Sequence, residues 1–178
     1  MPKVQKITPP NAPRLQGLPP IISSNTRLLV LGSFPGGASL ARQQYYAHPQ
    51  NQFWKILQAI WPSSPRLSST DSYEFRSNWL LDRGLGVWDV YAACERIGSL
   101  DSAIRQPEVN DFASLLRLCP QLQAIAHNGG ESFKHARHTA QLGLPVFKLP
   151  STSPANASWS FERKLAAWRE VVMATGLL

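Results

Sequence analysis

The feature that most constrains the fold is an alternation of short apolar runs with helix-length stretches. The runs are RLLVLGS (27–33), GVWDVY (86–91), LQAIAHNG (122–129) and PVFKLP (145–150), and helical patterns follow Asn51, Asp71, Asn110 and Gly130 and precede the carboxyl terminus. An uninterrupted apolar run indicates a strand buried on both faces. Strands that alternate with helices require crossover connections. We therefore predict an α/β fold, a three-layer α/β/α sandwich with a central four-stranded parallel sheet.

The amino-terminal segment, residues 1–24, has a different composition. It contains several basic residues and six prolines: Pro2, Pro9, Pro10, Pro13, Pro19 and Pro20. Because proline lacks a backbone donor, this segment is predicted to be an extended or disordered arm that builds no sheet. Residues 25–178 are predicted to form one folded domain, as the length of 178 residues suits a single core.

Charge and composition narrow the class of protein. Eighteen Lys and Arg against eleven Asp and Glu give a net charge of +7, which favours polyanionic partners without identifying one. Neither a membrane-length apolar run nor a basic-then-apolar leader is present, so we expect a soluble cytoplasmic protein without membrane partners. Cys94 and Cys119 form no metal-binding pattern, and His135 and His138 are interpreted as a solvated helix face. No metal and no organic cofactor are predicted.

Unusual loops follow the four predicted strands, at the edge where parallel sheets bind ligands. Glycines in GSFPGG (32–37) let the backbone approach a ligand closely. The next aromatic residues, Tyr45 and Tyr46, suit stacking on a flat ring, although covering the core explains them as well. The segment from His127 to Gly130 is either part of a pocket floor or anion site, or an ordinary glycine-rich turn.

Three segments in order carry a family resemblance. GSFPGGASL followed by YYAHPQNQFWK resembles the first motif of the uracil-DNA glycosylase superfamily, closest to its hypoxanthine-DNA glycosylase branch. LPSTSPANASW occupies the place of the second motif, and GLGVWDVYAACERIGSLDSAI that of the strand whose end recognises the base. The resemblance extends from about Arg27 to the carboxyl terminus.

This resemblance implies a DNA-repair glycosylase. Such an enzyme extrudes a deaminated nucleotide, deoxyinosine first and deoxyuridine second, and hydrolyses its N-glycosidic bond to leave an abasic site. DNA containing a deaminated base is the implied partner, and a monomer is expected. No catalytic lysine lies in the matched motifs, so a Schiff-base lyase step is not expected.

The first motif departs from the common family pattern at Phe34. Many members have a polar Asp or Asn there, whereas a phenyl ring cannot position water. By resemblance to the hypoxanthine branch, Asn51 is the candidate that orients the attacking water. An amide orients and does not act as a base. Asn51 also suits capping of the following helix, and the two roles can coexist.

The resemblance also implies a set of base-pocket residues. Tyr46 would stack on the extruded base, and the Asp89 carboxylate would accept a hydrogen bond from its ring N–H. A salt bridge or a loop cap is the competing interpretation of Asp89. The full predicted pocket comprises Gly32, Ser33, Phe34, Tyr46, His48, Asp89 and Asn128.

The second motif supplies the remaining predicted residues. Ser151 stands where many relatives have a His or Asn that stabilises the leaving base, and it can donate one uncharged hydrogen bond. Phosphate binding is assigned to Ser153, Pro154, Ala155 and Asn156. Ala155 replaces a bulkier wedge residue, which predicts weak help in opening a duplex. Asp101 and Ser102 are left as either phosphate contacts or turn caps.

Two other functions remain compatible with the sequence. One is a nucleic-acid-binding relative that has lost catalysis, since the usual polar residue of motif one and the His of motif two are absent. The other is an α/β hydrolase of small nucleotides, with GSFPGG as its phosphate loop.

Overall fold

The computed structural model describes residues 12–63 and 65–178. In chain order its elements are β1 (Arg14–Gln16), β2 (Leu28–Gly32), α1 (Gly37–Arg42), α2 (Phe53–Ile60), α3 (Tyr73–Asp82), β3 (Leu85–Asp89), β4 (Tyr91–Glu95), a 3-10 turn (Asp101–Ala103), β5 (Arg105–Val109), α4 (Leu115–Leu118), β6 (Ala124–Asn128), α5 (Gly130–Phe133), α6 (Ala136–Ala140), β7 (Val146–Leu149) and α7 (Phe161–Ala174).

The central sheet has four parallel strands in the order β3-β2-β6-β7. In the register of these strands Gly32 lies opposite Asp89, and Asn128 lies opposite Leu149. The carboxyl ends of the four strands therefore meet along one edge. The predicted α/β fold and its parallel sheet are confirmed.

Strand β2 divides the core into two layers because its side chains alternate between the faces of the sheet. Leu28 and Val30 pack in a cluster with apolar residues of α2, α3 and α7. Leu29 and Leu31 pack in a second cluster with residues of β4 and α4. Every residue of β2 is buried, as expected of a strand covered on both sides.

A second sheet of three antiparallel strands, in the order β1-β4-β5, was not predicted. Its strand β1 corrects the interpretation of residues 1–24, because Arg14, Leu15 and Gln16 pair with β4. Each of these three residues keeps a backbone N–H, so the prolines around them do not prevent pairing. Further along, Ile21 bridges to Val87. Residues 1–11 of the predicted arm lie outside the described residues.

Some helices also differ from their predicted extents. The helix expected after Asn110 is reduced to α4, which ends just before Cys119 and Pro120, since proline cannot continue a helix. The one expected after Gly130 is divided into α5 and α6. Within residues 12–63 and 65–178, none of the helices has the length and apolar character needed to cross a membrane.

Trp168 of α7 provides a test of how the carboxyl-terminal helix is attached. Its ring is 1% exposed, packs edge-on against Phe53 at 5.9 Å, and its indole N–H donates to the Pro150 carbonyl at 3.1 Å. Trp168→Ala should lower the free energy of unfolding by about 3–5 kcal/mol in a urea titration. Met173→Ala, on the exposed side of the same helix, should change it by less than about 0.5 kcal/mol. Equal effects of the two substitutions would contradict this packing.

Candidate active site

One large pocket opens at the carboxyl edge of the parallel sheet. Its volume is about 1080 Å³, at the upper end of the range for ligand sites in proteins. All thirteen residues predicted from the sequence lie on its wall: Gly32, Ser33, Phe34, Tyr46, His48, Asn51, Asp89, Asn128, Ser151, Ser153, Pro154, Ala155 and Asn156. The structure thus brings the three sequence motifs to one place, while the chemical role of each residue stays a prediction.

The side chain of Asn128 ties the pocket together. Its amide group donates to the Tyr46 hydroxyl at 3.1 Å and to the Thr152 hydroxyl at 3.0 Å. Its carbonyl oxygen accepts from the Thr152 backbone N–H at 3.1 Å. Strand β6, the aromatic loop of motif one and the motif-two loop are therefore held by a single carboxamide.

Asn51 lies one residue before Gln52, the N-cap residue of α2. Its side-chain oxygen accepts from the Phe53 backbone N–H at 2.9 Å, so it bonds the first residue of the helix much as the predicted cap would. The next residue, Gln52, donates its backbone N–H to the Thr152 carbonyl at 3.0 Å. A carbonyl oxygen has two lone pairs, so the cap leaves one acceptor site on the Asn51 side chain for another donor.

The two adjacent tyrosines have different roles in the fold. Tyr45 is 3% exposed, and its hydroxyl donates to the Pro19 carbonyl at 2.9 Å, so this residue covers the core. Tyr46 has a left-handed backbone conformation, with φ of 53°, so its side chain takes a different direction from that of Tyr45. Its ring lies 4.1 Å from that of Phe53 at an interplanar angle of 22°, and it lines the pocket. One face of the Tyr46 ring is thus supported by Phe53.

Asp89 is a buried carboxyl group in the pocket wall. It is 5% exposed, and its Oδ2 has no hydrogen-bond partner among the residues that the structure describes. Burial, together with the negative charge of Asp101, raises the pKa of Asp89 to about 7 against the opposing positive charge of Arg96. The group therefore changes its charge close to neutral pH.

Two glycines leave the space that these side chains need. A Cβ at Gly32 would stand 2.5 Å from Oδ1 of Asp89. Gly129 has a φ of +98°, and a Cβ there would lie 3.0 Å from that of Ser151. Any larger residue at either position would displace a pocket side chain.

The segment 96–101 is fastened to the GSFPGG turn. Arg96 donates to the Pro35 carbonyl at 2.6 Å, and the Gly37 N–H donates to the Ser99 hydroxyl at 2.9 Å. The Ser33 hydroxyl donates to Asp101 at 2.7 Å. Asp101 thus has a structural partner, and the turn and this segment form one wall of the pocket.

The motif-two loop is braced by its own side chains. The Ser151 hydroxyl oxygen accepts from the Ser153 N–H at 3.2 Å, and the Asn156 amide donates to the Ser151 carbonyl at 3.2 Å. Ser153 accepts in the same way from the Ala155 N–H. Within residues 12–63 and 65–178 the Ser151 hydroxyl hydrogen has no acceptor, so it is available to a ligand.

The structure adds pocket residues that the sequence did not single out. Thr152 anchors both motifs, and its position inside LPSTSPANASW was the only signal for it. Trp159 also lines the pocket, beneath the Arg163 guanidinium at 4.2 Å, and Lys148 and Leu100 lie on the wall. Across the described ranges, 12–63 and 65–178, no three His, Cys, Asp or Glu side chains are grouped as metal ligands.

Of residues 127–130, for which two interpretations were open, Asn128, Gly129 and Gly130 line the pocket. The ring of His127 instead bonds to Ser132 at 2.8 Å and Thr139 at 2.9 Å, and burial lowers its pKa to about 4. His135 is half-buried, with its Nε2 2.9 Å from the Tyr91 hydroxyl, so this helix face is not simply solvated.

The pKa of Asp89 predicts how stability varies with pH. The folded protein holds this proton more tightly than the unfolded chain, where the pKa is near 3.8, so the stabilising contribution is complete below about pH 4 and is lost as pH rises through about 7. Asp89→Asn, neutral at every pH, should melt about 4 °C or more above the parent protein at pH 8 and show a smaller difference at pH 5. Asp82→Asn, on the surface, is the matched control. A difference in melting temperature that is the same at both pH values would contradict this assignment.

Comparison with known proteins agrees with the geometry of the pocket. The chain is 36% identical over 155 residues to a hypoxanthine DNA glycosylase of Methanosarcina barkeri and 35% identical over 157 residues to one of Methanosarcina acetivorans. These alignments cover 87% and 88% of this chain and 96% of each relative. A G/U mismatch-specific uracil DNA glycosylase of Schizosaccharomyces pombe is 30% identical over 103 residues, covering 57% of this chain and 30% of that protein.

A similar fold is known from experiment. A solution NMR structure described as that of a putative uracil DNA glycosylase from M. acetivorans superposes with a TM-score of 0.80 at 32% identity, covering 92% of this chain and 99% of that one. The family model described as uracil DNA glycosylase superfamily matches residues 19–172. This chain therefore belongs to the uracil DNA glycosylase superfamily, a family of DNA glycosylases.

Proposed function

We propose that this DNA glycosylase is monofunctional and excises a deaminated base, hypoxanthine first and uracil second, from DNA after extruding the nucleotide into the pocket. The observation that carries the proposal is the convergence of Tyr46, Asp89 and Asn51 on one pocket at the sheet edge. The hypoxanthine DNA glycosylases at 35% and 36% identity support the choice of base.

Recognition of the base rests on a stacking surface and an acceptor. Phe53 supports one face of the Tyr46 ring, and a purine or pyrimidine stacks on the other. The Asp89 carboxylate on the pocket wall accepts the ring N–H that hypoxanthine and uracil carry on the Watson–Crick edge. Adenine and cytosine lack a hydrogen on the corresponding nitrogen, so they leave a buried carboxylate without a donor.

Hydrolysis rests on groups that orient rather than exchange protons. The capped side chain of Asn51 is fixed by the Phe53 N–H, and its second lone pair holds the water that attacks the sugar carbon. The bond between that carbon and the base nitrogen breaks through an oxocarbenium-like state. The bond electrons leave with the base, and the Ser151 hydroxyl donates to the negative charge that develops on it. The proton that the attacking water loses passes to the departed base anion, so the products are the sugar hydroxyl and the neutral base.

A lyase step is not part of the proposal. The first and second motifs contain no lysine apart from Lys55 on α2, which does not line the pocket. Lys148 precedes the second motif, and its ammonium lies 5.4 Å from the Phe133 ring centroid. We assign Lys148 to contact with DNA phosphate, in keeping with the net charge of +7.

A panel of substrates tests the function. Duplexes with a single deoxyinosine, deoxyuridine or deoxyxanthosine are incubated with the protein, and strand breaks are scored with and without alkali. The proposal requires breaks at deoxyinosine only after alkali treatment, as expected of abasic sites. Protein that binds these duplexes but yields no breaks would instead be a non-catalytic relative. Hydrolysis of free deoxyinosine or its monophosphate, with none in DNA, would favour a small-nucleotide hydrolase.

The proposed water-orienting role of Asn51 can be tested separately from its hydrogen bond to the start of α2. Asn51→Ala should slow single-turnover release of hypoxanthine by about a hundredfold or more, with DNA binding retained. Asn51→Ser keeps a good capping group but is too short to hold the water, so it should match the parent protein in stability and share the loss of rate. Gln50→Ala, at the exposed neighbouring position, is the control. Full activity of Asn51→Ser would show that only the cap matters.

The pKa of Asp89 predicts the pH dependence of excision. Because the ionised carboxylate is the acceptor and its pKa is about 7, kcat/KM for deoxyinosine should rise about tenfold between pH 6 and pH 8. Asp89→Asn should be slower and lack this rise. A parent rate that falls over the same range would mean that the protonated form is active, contrary to the proposed contact.

A further inference from the structure

Leu100 is an exposed apolar side chain at the pocket mouth. The large apolar side chains most exposed among the described residues are Phe75, Ile97, Leu100, Leu116, Leu118, Met173 and Leu178. Of these, only Leu100 lines the pocket. It is 58% exposed, and Ile97 in the same loop is 62% exposed. An exposed large apolar side chain at the mouth of a pocket is a candidate for an interaction surface.

The loop that carries Leu100 is held in place on both sides. Before it, Arg96 is anchored to Pro35 and the Ser99 hydroxyl accepts the Gly37 N–H. Directly after it, Asp101 accepts from Ser33. Gly98, with a φ of +77°, makes the turn between Ile97 and Ser99. The apolar side chain is thus presented by a braced loop.

The motif-two loop offers no exposed aliphatic side chain of comparable length. Its Trp159 is half-buried beneath the Arg163 guanidinium at 4.2 Å. Its exposed residues on the pocket wall include Pro154 and Ala155, and Ala155 presents a single methyl group. Extruding a nucleotide leaves a gap in the base stack, and proteins that kink DNA commonly insert Phe, Leu, Ile, Met or Pro between base steps. Ala155 is too short to fill the gap, and the compact ring of Pro154 reaches less far than a leucine side chain.

We propose that Leu100 enters the base stack of the DNA duplex and fills the gap left by the extruded nucleotide. The inference rests on the proposed function and assigns the wedge to the loop 96–101 rather than to the motif-two loop. The occupant of this surface is DNA because Leu100 adjoins the pocket that receives the nucleotide and the protein carries a net charge of +7.

The test compares paired with unpaired substrates. Under single-turnover conditions Leu100→Ala should excise hypoxanthine from an inosine–cytosine duplex about tenfold more slowly, yet act on inosine in single-stranded DNA within about twofold of the parent rate. Leu100→Phe should restore the duplex rate. Leu118→Ala, which removes an exposed leucine of α4 outside the pocket, should leave both rates unchanged. Equal rates for Leu100→Ala and the parent on both substrates, or equal losses on both, would overturn the proposal.

A measurement of base opening separates this proposal from the proposed function. With 2-aminopurine placed next to deoxyinosine, the parent protein should raise the fluorescence as the stack opens, and Leu100→Ala should lose most of this rise at saturating protein. The signal does not need cleavage of the glycosidic bond. Opening that depends on Leu100 without any excision would support the wedge and refute the enzymatic function. Excision that does not depend on Leu100 in either assay would support the enzymatic function and refute the wedge.

Discussion

The carboxamide of Asn128 is the interaction on which the pocket depends. Parallel pairing places this residue at the carboxyl end of β6, and its three hydrogen bonds reach Tyr46 and both the backbone and the side chain of Thr152. Thr152 in turn accepts from the Gln52 N–H, next to Asn51. Tyr46, proposed to stack on the base, the candidate water-orienting Asn51 and the motif-two loop are therefore positioned by one continuous network. A buried network of this kind is stable only when its members are satisfied together.

The pocket contains few charged groups near the proposed reaction. Its candidate catalytic residues are an amide and a hydroxyl, neither of which is a base near neutral pH. Asp89 is the buried ionisable group of the wall, and its pKa is raised mainly by desolvation. Under the proposed mechanism an amide and a hydroxyl can orient and donate without supplying a proton from an acid, so they suit a base that departs readily as an anion.

The parts of the fold that the sequence predicted are those with a local signal. Strands β2, β3, β6 and β7 coincide with short apolar runs. Burial on both faces accounts for the composition of β2 and β6, whereas the edge strand β7 is only partly buried. Strand β4 follows β3 after Val90 alone and was interpreted as loop, while β1 lies between prolines. Their pairing depends on partners distant in the chain, which no local pattern encodes.

In the site, too, the sequence predicted features with a local signal and missed those that depend on contacts between distant residues. The motifs predicted which residues share the pocket, whereas Thr152 was missed because its bonds to Asn128 join positions 24 residues apart. Phe34 was read as unable to hold water, and it is largely buried under the Arg96 guanidinium, 5.2 Å from the ring centroid. The capping bond of Asn51 also matched an expectation, since asparagine before a helix has that tendency regardless of its surroundings.

A structure of the protein bound to a duplex containing 2′-fluoro-2′-deoxyinosine would test the central claim most directly, because fluorine disfavours the oxocarbenium-like state and keeps the bond intact. The account predicts that the hypoxanthine ring leaves the helix, stacks on Tyr46 and places its N1 within hydrogen-bond distance of Asp89. A base that stays paired, or that binds away from this pocket, would contradict it.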